Sequence, residues 1–469
     1  MKLTGKFARL LLVIAFVLPF FLHTQVQAEY TGPKYTVQEG ESLAIIAGYF
    51  HTTTYRLATY NYITDPNMVV PGRKLTIPGF EDLSGEITRV IVGLGDTPSS
   101  LARQTGSNTS VFQRINFLTS ADAIYVGQPM FVLTDQSITR KRVPITEDMT
   151  SLELAALNNV NPWTADNANH LGGSWRLIAN DTIYLPSDSN GGEILPGVTG
   201  FGSVTLMQGK TAQFTAIGSA SSGLTGTLLG HPLQFFDTGN DTLVALQGVD
   251  RMDGATSINQ KYSNIADLTN VVLTSANSAG KTFSIEQRLL VHEGSYGYDA
   301  QLQVKDEFLD PAVTQPELDF LMQEVAAAPP EKLWNGAFAA PTETPNCKVS
   351  TYGLLRSYNG SDYIYYHTGI DFCGAVGAPI YAAADGVVVF AGPLTVRGNA
   401  TIISHGRGVY TGYYHQSEID VTVGQTVKAG DKIGLIGDTG RVNGPHLHFE
   451  VIVGSVQVDP SDWLNGSYP

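Results

Sequence analysis

The sequence predicts a chain of several domains that are mainly β. With 469 residues, the chain is too long for one ordinary domain. Its composition, with 43% hydrophobic and only 15% charged residues, is typical of a folded protein that buries several cores. Glycine (49) and proline (23) are plentiful and no long heptad pattern is present, so short strands and turns are favoured over helical bundles.

The first 28 residues have the pattern of a cleavable export signal. Basic residues precede the apolar run LLLVIAFVLPFFL, and Val26-Gln27-Ala28 provides the small residues that signal peptidase requires. An uncleaved anchor is the alternative, but about 13 apolar residues broken by Pro19 are short for the ~20 of a membrane span. We therefore expect cleavage after Ala28 and export to the periplasm, the cell wall or the extracellular space.

Charge and cysteine content restrict the partners and the environment. The net charge of −15 argues against nucleic acid as a partner, because a surface that binds phosphates requires an excess of basic residues. The two cysteines, Cys347 and Cys373, both lie in the C-terminal part of the chain. In an exported chain they can form one disulfide, with two unpaired buried thiols as the alternative.

Residues 35–79 predict a small βααβ domain. A short strand is followed by a helix with one apolar face. A second helical patch ends at Asn61, and a Pro71-Gly72 turn leads into a final strand. This pattern resembles a LysM module over its whole length.

The pattern recurs further along the chain. A shift of 55 residues places a second, divergent copy at 87–135. Four pairs of identical residues align without a gap, namely Gly40 and Gly95, Ala47 and Ala102, Asn61 and Asn116, and Gly72 and Gly127. A third, degenerate copy is predicted at 145–186, where SLELAALNNVN resembles the two helices and NDTIYLP the final strand.

LysM modules bind glycans that contain N-acetylglucosamine, such as peptidoglycan, and the resemblance implies this ligand for the first module. Asn61 and Gly72 are interpreted as residues that maintain the fold, through a side-chain hydrogen bond and a positive-φ turn. No individual sugar-binding residue is therefore assigned.

The middle of the chain predicts a scaffold without chemistry of its own. After a linker at 187–196, short alternating runs separated by turn residues fill 197–310 and predict an immunoglobulin-like β-sandwich. A helical connector is expected at 311–330, with Thr314 and Glu317 as the capping-box pair at its start.

Five of the ten histidines cluster between positions 367 and 448. In HTGIDFCG, His367 and Asp371 can converge on one zinc ion, which accepts imidazole nitrogen and carboxylate oxygen. In GPHLHFEV, His446 and His448 alternate with apolar residues and therefore point to the same side of a strand. One strand can thus offer one imidazole to a metal and the other to water or substrate.

Between these two elements, the stretch TGYYHQSE has the alternation of another strand. This pattern places Thr411, Tyr413 and His415 on one face and Tyr414 on the opposite face. A polar histidine among hydroxyl groups is unusual in an apolar core, so His415 is a further candidate for the site.

Taken in order, the three elements resemble the lysostaphin/LytM-type family of zinc metallopeptidases, and the resemblance covers the predicted domain at 331–469. It implies an antiparallel β-sheet and one zinc ion with three protein ligands, His367, Asp371 and His448. It also implies two catalytic histidines, His415 and His446, which orient or deprotonate the attacking water and stabilise the oxyanion.

Other positions match or depart from the family without a ligand role. Tyr413 matches a position beside the site, where we expect it to support the catalytic residues. His405 matches a position that is not a metal ligand. Gln416 stands where Leu is common, and the turn GRVNGPH stands where small residues are typical, so both are expected to alter the groove and its specificity.

The sequence therefore predicts an exported hydrolase in which LysM modules hold a zinc endopeptidase on peptidoglycan and raise its local concentration of substrate. Relatives that have lost zinc ligands act as regulators, so a non-catalytic regulator of another wall hydrolase is the alternative from a different class. A metallopeptidase that acts on proteins is a third hypothesis, which leaves the LysM modules unexplained. Because every ligand position is filled, the enzyme is favoured.

Overall fold

The structure is a computed structural model that describes residues 30–469 apart from 121–123, 135–138, 172–175, 189–190, 220–222, 253–266 and 363–364. The predicted signal peptide at 1–28 lies outside the described residues. The chain is mainly β, as the sequence predicts, with 37% of residues in strands and 16% in helices. It divides into two compact units, the first ending at Ser84 and the second beginning at Gly85. None of the helices in the described ranges has the length and apolar character that a membrane crossing requires.

The first unit contains one βααβ module. Its elements are β1 (Lys34–Thr36), α1 (Leu43–Tyr49), α2 (Thr54–Tyr60) and β2 (Lys74–Thr76). Ser42 and Thr53 are the N-caps of the two helices, because their side chains accept hydrogen bonds from backbone N–H groups of the first turn. β1 and β2 pair antiparallel and complete the module.

The second unit begins with two more modules of this design. The second module consists of β3 (Glu86–Ile91), α3 (Pro98–Gln104), α4 (Thr109–Ile115) and β4 (Pro129–Thr134). The third has β5 (Arg140–Pro144), β6 (Met149–Thr150), α5 (Ser151–Leu157), α6 (Pro162–Asn169), β7 (Arg176–Leu177) and β8 (Thr182–Pro186), and β5 also pairs with β9 (Gly191–Gly192). Pro98 fits the first position of α3, where a helix needs no N–H donor.

One asparagine makes the same contacts in all three modules. Nδ2 of Asn61 donates to the carbonyls of Leu57 (2.8 Å) and Thr76 (2.9 Å), and its Oδ1 accepts from the Thr76 N–H (2.7 Å). Asn116 and Asn169 make the equivalent three bonds in the second and third modules. The fold-maintaining role expected for Asn61 is confirmed, and these shared bonds support our proposal of a third LysM-like module at 145–186.

The next part of the chain is a sandwich of two sheets over one apolar core. The first sheet has the order β10 (Val198–Phe201), β12 (Thr211–Gly218), β16 (Thr242–Gly248) and β15 (Phe236–Asp237). The second has the order β11 (Leu206–Met207), β18 (Thr282–His292), β17 (Asp267–Ala276), β13 (Thr225–Leu228) and β14 (His231–Gln234). Residues 297–302 then run beside the C-terminal domain, where Tyr298 and Leu302 form β-bridges with Leu355 and Tyr358.

A short 3₁₀ helix (Asp306–Phe308) and the helix α7 (Pro311–Glu324) connect the sandwich to the C-terminal domain. The N-cap of α7 is Asp310, so the predicted capping box of Thr314 and Glu317 is wrong. Glu317 is buried and instead accepts hydrogen bonds from the backbone N–H groups of Val396 (2.7 Å) and Arg397 (3.2 Å). The helix is thereby attached to a loop beside the histidine cluster.

The C-terminal domain is built on one large sheet. Its central strands have the order β19 (Lys348–Ser350), β22 (Ile370–Cys373), β29 (His446–Val453), β26 (Val409–Ile419), β25 (Gly398–Ser404), β24 (Gly386–Leu394) and β27 (Thr426–Val427). The remaining elements are β20 (Leu355–Arg356), β21 (Tyr365–Tyr366), β23 (Pro379–Tyr381), β28 (Lys432–Ile436), β30 (Val456–Val458) and α8 (Pro460–Asn465). Cys347 and Cys373 form a disulfide, so the expected pairing is confirmed and the alternative of two unpaired thiols is wrong.

Strand β16 has two buried faces that belong to different domains. Leu243 and Ala245 pack into the core of the sandwich. Val244 and Leu246 point the other way and pack into the core of the C-terminal domain. Ion pairs from Lys210 to Asp459 and Asp462 reinforce this interface. The sandwich therefore supports the domain that carries the histidines.

Candidate metal centre and active site

The strand register brings the candidate ligands together. β22 and β29 pair so that Asp371 lies opposite His448. His367 precedes β22 and is buried against the same end of the strand. Nε2 of His367 lies 2.9 Å from Oδ1 of Asp371 and 2.9 Å from Nδ1 of His448, and the last two atoms are 2.7 Å apart. The three side chains thus converge on one point.

The partners on the far side of each ligand determine which atom faces that point. Nδ1 of His367 donates to the Thr351 carbonyl (2.9 Å), which leaves a lone pair on Nε2. Nε2 of His448 donates to Oε1 of Glu450 (3.1 Å), which leaves a lone pair on Nδ1. Oδ2 of Asp371 accepts from Nη2 of Arg356 (3.2 Å), which turns Oδ1 inward.

This donor set fits a zinc ion. Three electron-pair donors lie within 2.9 Å of one another, each with its second polar atom already bonded elsewhere. Such a cluster is repulsive unless a cation or a proton occupies its centre. Two imidazoles and one carboxylate are the ligand types of a catalytic zinc, whose fourth position is left for water or substrate.

Protonation competes with a metal ion for this cluster. Burial lowers the pKa of His367 to about 4, so this imidazole is neutral at neutral pH and its lone pair is available. Burial also lowers the pKa of His448, but its contacts with the Asp371 and Glu450 carboxylates outweigh burial and raise that pKa above its usual value. A proton and a metal ion therefore compete for Nδ1 of His448.

The two other histidines predicted for the site lie beside the triad. Nδ1 of His446 donates to the Gly444 carbonyl (2.8 Å), and its Nε2 lies 3.6 Å from Oδ1 of Asp371. Nδ1 of His415 donates to the Thr439 carbonyl (2.8 Å), and its ring lies 4.9 Å from that of His446. Burial lowers the pKa of both imidazoles, so each presents a neutral ring with a free Nε2 at neutral pH.

The predicted alternation along β26 is wrong at His415. The strand contains a β-bulge there, with one extra residue relative to β25, and His415 has φ 63°. Tyr414 and His415 therefore both lie on the side of the triad, with the Tyr414 ring 5.6 Å from that of His448. Tyr413 lies on the opposite, apolar side and packs in the core.

The sequence predicts that Tyr413 lies beside the site, and this prediction is wrong because Tyr413 lies in the core on the other side of the sheet. Its hydroxyl accepts from the Ala383 N–H (2.8 Å) and lies 3.0 Å from the Thr411 hydroxyl. His405 joins the same buried network, with Nδ1 2.8 Å from the Asp385 carbonyl and Nε2 2.8 Å from the Thr411 hydroxyl. This group supports the sheet from behind.

An open groove of about 850 Å³ runs past the triad. One wall comes from the loop that precedes β29, including Arg441 and Gly444. Another wall comes from outside the predicted C-terminal domain, from Asp299, Leu302 and the first turns of α7. The groove is therefore completed by the segment that links the sandwich to the C-terminal domain.

Sequence reasoning assigned no role to several residues that shape this site. Glu450 shares the period-two face of His446 and His448, so alternation could have identified it as a partner of the ligands. Arg356 and Arg397 gave no local signal, because their partners lie far away in the sequence.

The fold and the site together are those of a protein that binds a single metal ion on an antiparallel sheet, with His367, Asp371 and His448 as the candidate ligands. Comparison with known protein families gives two matches, to peptidase family M23 over residues 365–460 and to the LysM domain over 35–78 and 90–132. The chain thus contains an M23 peptidase domain and two N-terminal LysM domains, which confirms the resemblances predicted for the C-terminal domain and for the first two modules.

Three similar proteins illustrate the extent of the likeness. The peptidoglycan DD-endopeptidases ShyA and ShyB of Vibrio cholerae are 49% and 46% identical over 19% and 24% of this chain. The chain spans only 20% and 26% of their lengths. The catalytic domain of the prophage-encoded M23 protein EnpA from Enterococcus faecalis is 30% identical, with a TM-score of 0.24, and the match covers 26% of this chain and 95% of that one.

Proposed function

We propose that this protein is an exported zinc-dependent endopeptidase that cleaves peptide stems or cross-bridges of peptidoglycan. The observation that carries the proposal is the convergence of three metal-ligand atoms from His367, Asp371 and His448, with two further imidazoles beside them. The M23 domain and the DD-endopeptidase names of similar proteins support the same substrate class.

A zinc ion in this triad would polarise the scissile carbonyl and lower the pKa of a water molecule toward ~7. The chain's own residues supply positioning and proton transfer. Neutral Nε2 of His415 or His446 can accept a proton from that water, because the backbone carbonyls of Thr439 and Gly444 hold the Nδ1–H on the far side of each ring. Once protonated, the same Nε2–H can donate to the oxyanion or to the leaving amine.

The LysM domains supply the second half of the proposal. Modules that bind glycan strands would keep the catalytic groove close to stem peptides, which raises their effective concentration without tight binding in the groove. The predicted signal peptide and the Cys347–Cys373 disulfide support export, since disulfides persist in oxidising compartments.

The experiment that tests the proposal compares wild-type protein with His448→Ala on purified peptidoglycan, with and without a chelator, and identifies products by mass spectrometry. We expect new muropeptide ends from the wild type alone, and their loss with the chelator. His292→Ala is the matched control, because this exposed histidine of the sandwich lies on β18, outside the groove.

Two outcomes would contradict the proposal. Binding to peptidoglycan without release of products, by full-length protein loaded with zinc, would favour the non-catalytic regulator. Hydrolysis of casein without hydrolysis of peptidoglycan would favour a protease that acts on proteins.

A further inference from the structure

Three arginines line the groove, and two of them are neutralised by acidic side chains. Arg356 forms ion pairs with Asp299 and Asp371, both at 3.2 Å. Arg397 forms an ion pair with Glu317 at 3.3 Å. Both guanidinium groups are therefore already paired within the protein. Arg356 positions the candidate metal ligand Asp371, and Arg397 attaches helix α7 through Glu317.

Arg441 has no acidic partner among the residues that the structure describes. Its Nη1 donates to the backbone carbonyl of Phe308 (3.2 Å), and its guanidinium lies 4.9 Å from the centre of the Tyr358 ring. A guanidinium carries five N–H donors, so one hydrogen bond and one ring contact leave most of them unused. The group is half-buried and lines the groove that contains the triad.

The backbone holds Arg441 in place before any ligand arrives. Its N–H donates to the Val396 carbonyl (2.8 Å), so the loop is tied to the neighbouring strand connection. Gly440 has φ +79°, and a Cβ there would lie 2.4 Å from the backbone nitrogen of Gly398, so only glycine allows this close approach. The guanidinium is thus preorganised, which reduces the entropy lost on binding a substrate group.

We propose that Arg441 binds a carboxylate of the substrate peptide next to the scissile bond. A half-buried positive charge with no carboxylate within ion-pair distance among the described residues is unfavourable, and the planar fork of arginine matches a carboxylate in a bidentate arrangement. Because Arg441 and His446 line the same groove, a carboxylate bound to Arg441 can belong to the peptide that reacts beside His446. The inference rests on the proposed endopeptidase activity and adds a specificity determinant to it.

Two carboxylates of a cross-linked stem peptide offer this chemistry. One belongs to the diamino acid whose side-chain amine forms the cross-link, and the other is the free C-terminal carboxylate of a stem. A set of soluble cross-linked peptides distinguishes them, with the diamino-acid carboxyl amidated in one peptide, the terminal carboxyl amidated in a second, and neither amidated in a third.

The experiment measures kcat and KM of the full-length protein and of Arg441→Gln on these three peptides. We expect Arg441→Gln to raise KM for the unmodified peptide by about tenfold or more with little change in kcat. On the peptide that lacks the recognised carboxylate, wild type and variant should have the same KM. Arg441→Lys, which keeps the charge without the fork, should fall between them.

Arg407→Gln is the matched control, because Arg407 also contacts an aromatic ring and a backbone carbonyl but does not line the groove. If wild type cleaves all three peptides with equal KM, and Arg441→Gln does the same, the carboxylate inference is overturned while the endopeptidase stands. If wild type cleaves none of them, the proposed function itself fails.

Discussion

At the scale of single residues, the site depends on groups that are not themselves candidate metal ligands. Glu450 fixes which nitrogen of His448 faces the triad, and the Thr351 carbonyl does the same for His367. Glu450 is itself held by Thr368, whose hydroxyl donates to Oε1 (2.5 Å), and by Tyr414, whose hydroxyl donates to Oε2 (3.3 Å). Ligand orientation is thus a property of a buried network.

The first prediction concerns this network. Glu450→Gln removes the charge that faces Nε2–H of His448 while it keeps the side-chain volume. We expect zinc affinity to fall by about 10- to 100-fold, as measured by competition with a chromophoric chelator. Glu418→Gln, an exposed change on β26, should leave zinc affinity unaltered. Equal affinities for all three proteins would show that Glu450 does not orient the ligand.

The second prediction separates metal binding from proton transfer. His446→Ala removes an imidazole that lies beside the triad without belonging to it. We expect kcat on cross-linked muropeptides to fall by about 10²- to 10⁴-fold with one zinc ion still bound. Zinc content by elemental analysis and single-turnover kinetics test this. Loss of zinc from the variant would instead make His446 a ligand.

At the scale of elements, period-two alternation predicted the shared face of His446 and His448 but failed on β26. The failure has a local cause, since one inserted residue and a positive φ at His415 reverse the side on which following residues point. A bulge leaves no clear signal in a single sequence. The capping box predicted for α7 is also wrong, because the Thr314 and Glu317 spacing fits a cap while Glu317 instead accepts hydrogen bonds from the backbone of Val396 and Arg397.

The third prediction concerns the LysM elements. Asn61→Ala removes two hydrogen bonds that tie the end of α2 to Thr76 of β2 and a third to the Leu57 carbonyl within α2, and it leaves the Thr76 backbone groups without their side-chain partner. We expect the first module to lose about 1–3 kcal/mol of stability. Hydrogen exchange of the amides of residues 35–78 in the full chain measures this loss. Asn67→Ala, an exposed change in the same module, should have little effect.

At the scale of the whole molecule, the order of LysM modules, sandwich and peptidase domain follows from sequence patterns that are local and periodic. The wall of the groove that residues 299–318 form could not be predicted from such patterns. These residues lie outside the region of family resemblance and join the site only through tertiary contacts, such as the ion pair of Asp299 with Arg356.

The fourth prediction uses the division into two units. All five candidate catalytic and metal-binding residues lie in the second unit, so a chain that begins at Gly85 should cleave soluble cross-linked muropeptides with an unchanged kcat/KM. Its rate on intact peptidoglycan should fall, because the first LysM module, for which we propose glycan binding, is lost. Both rates are measured by chromatography of released products. An equal fall on both substrates would contradict the tethering role of the first module.

The two buried faces of β16 also bear on how the molecule is made. Because a polypeptide is synthesised from its N-terminus to its C-terminus, the sandwich is made before the sheet that carries the histidines. Val244 and Leu246 are therefore expected to stay exposed on the outer face of the sandwich until the strands of the C-terminal domain have been synthesised and pack against them. We expect the peptidase domain to fold against the sandwich, which is already folded. The polypeptide would then gain its enzymatic activity last.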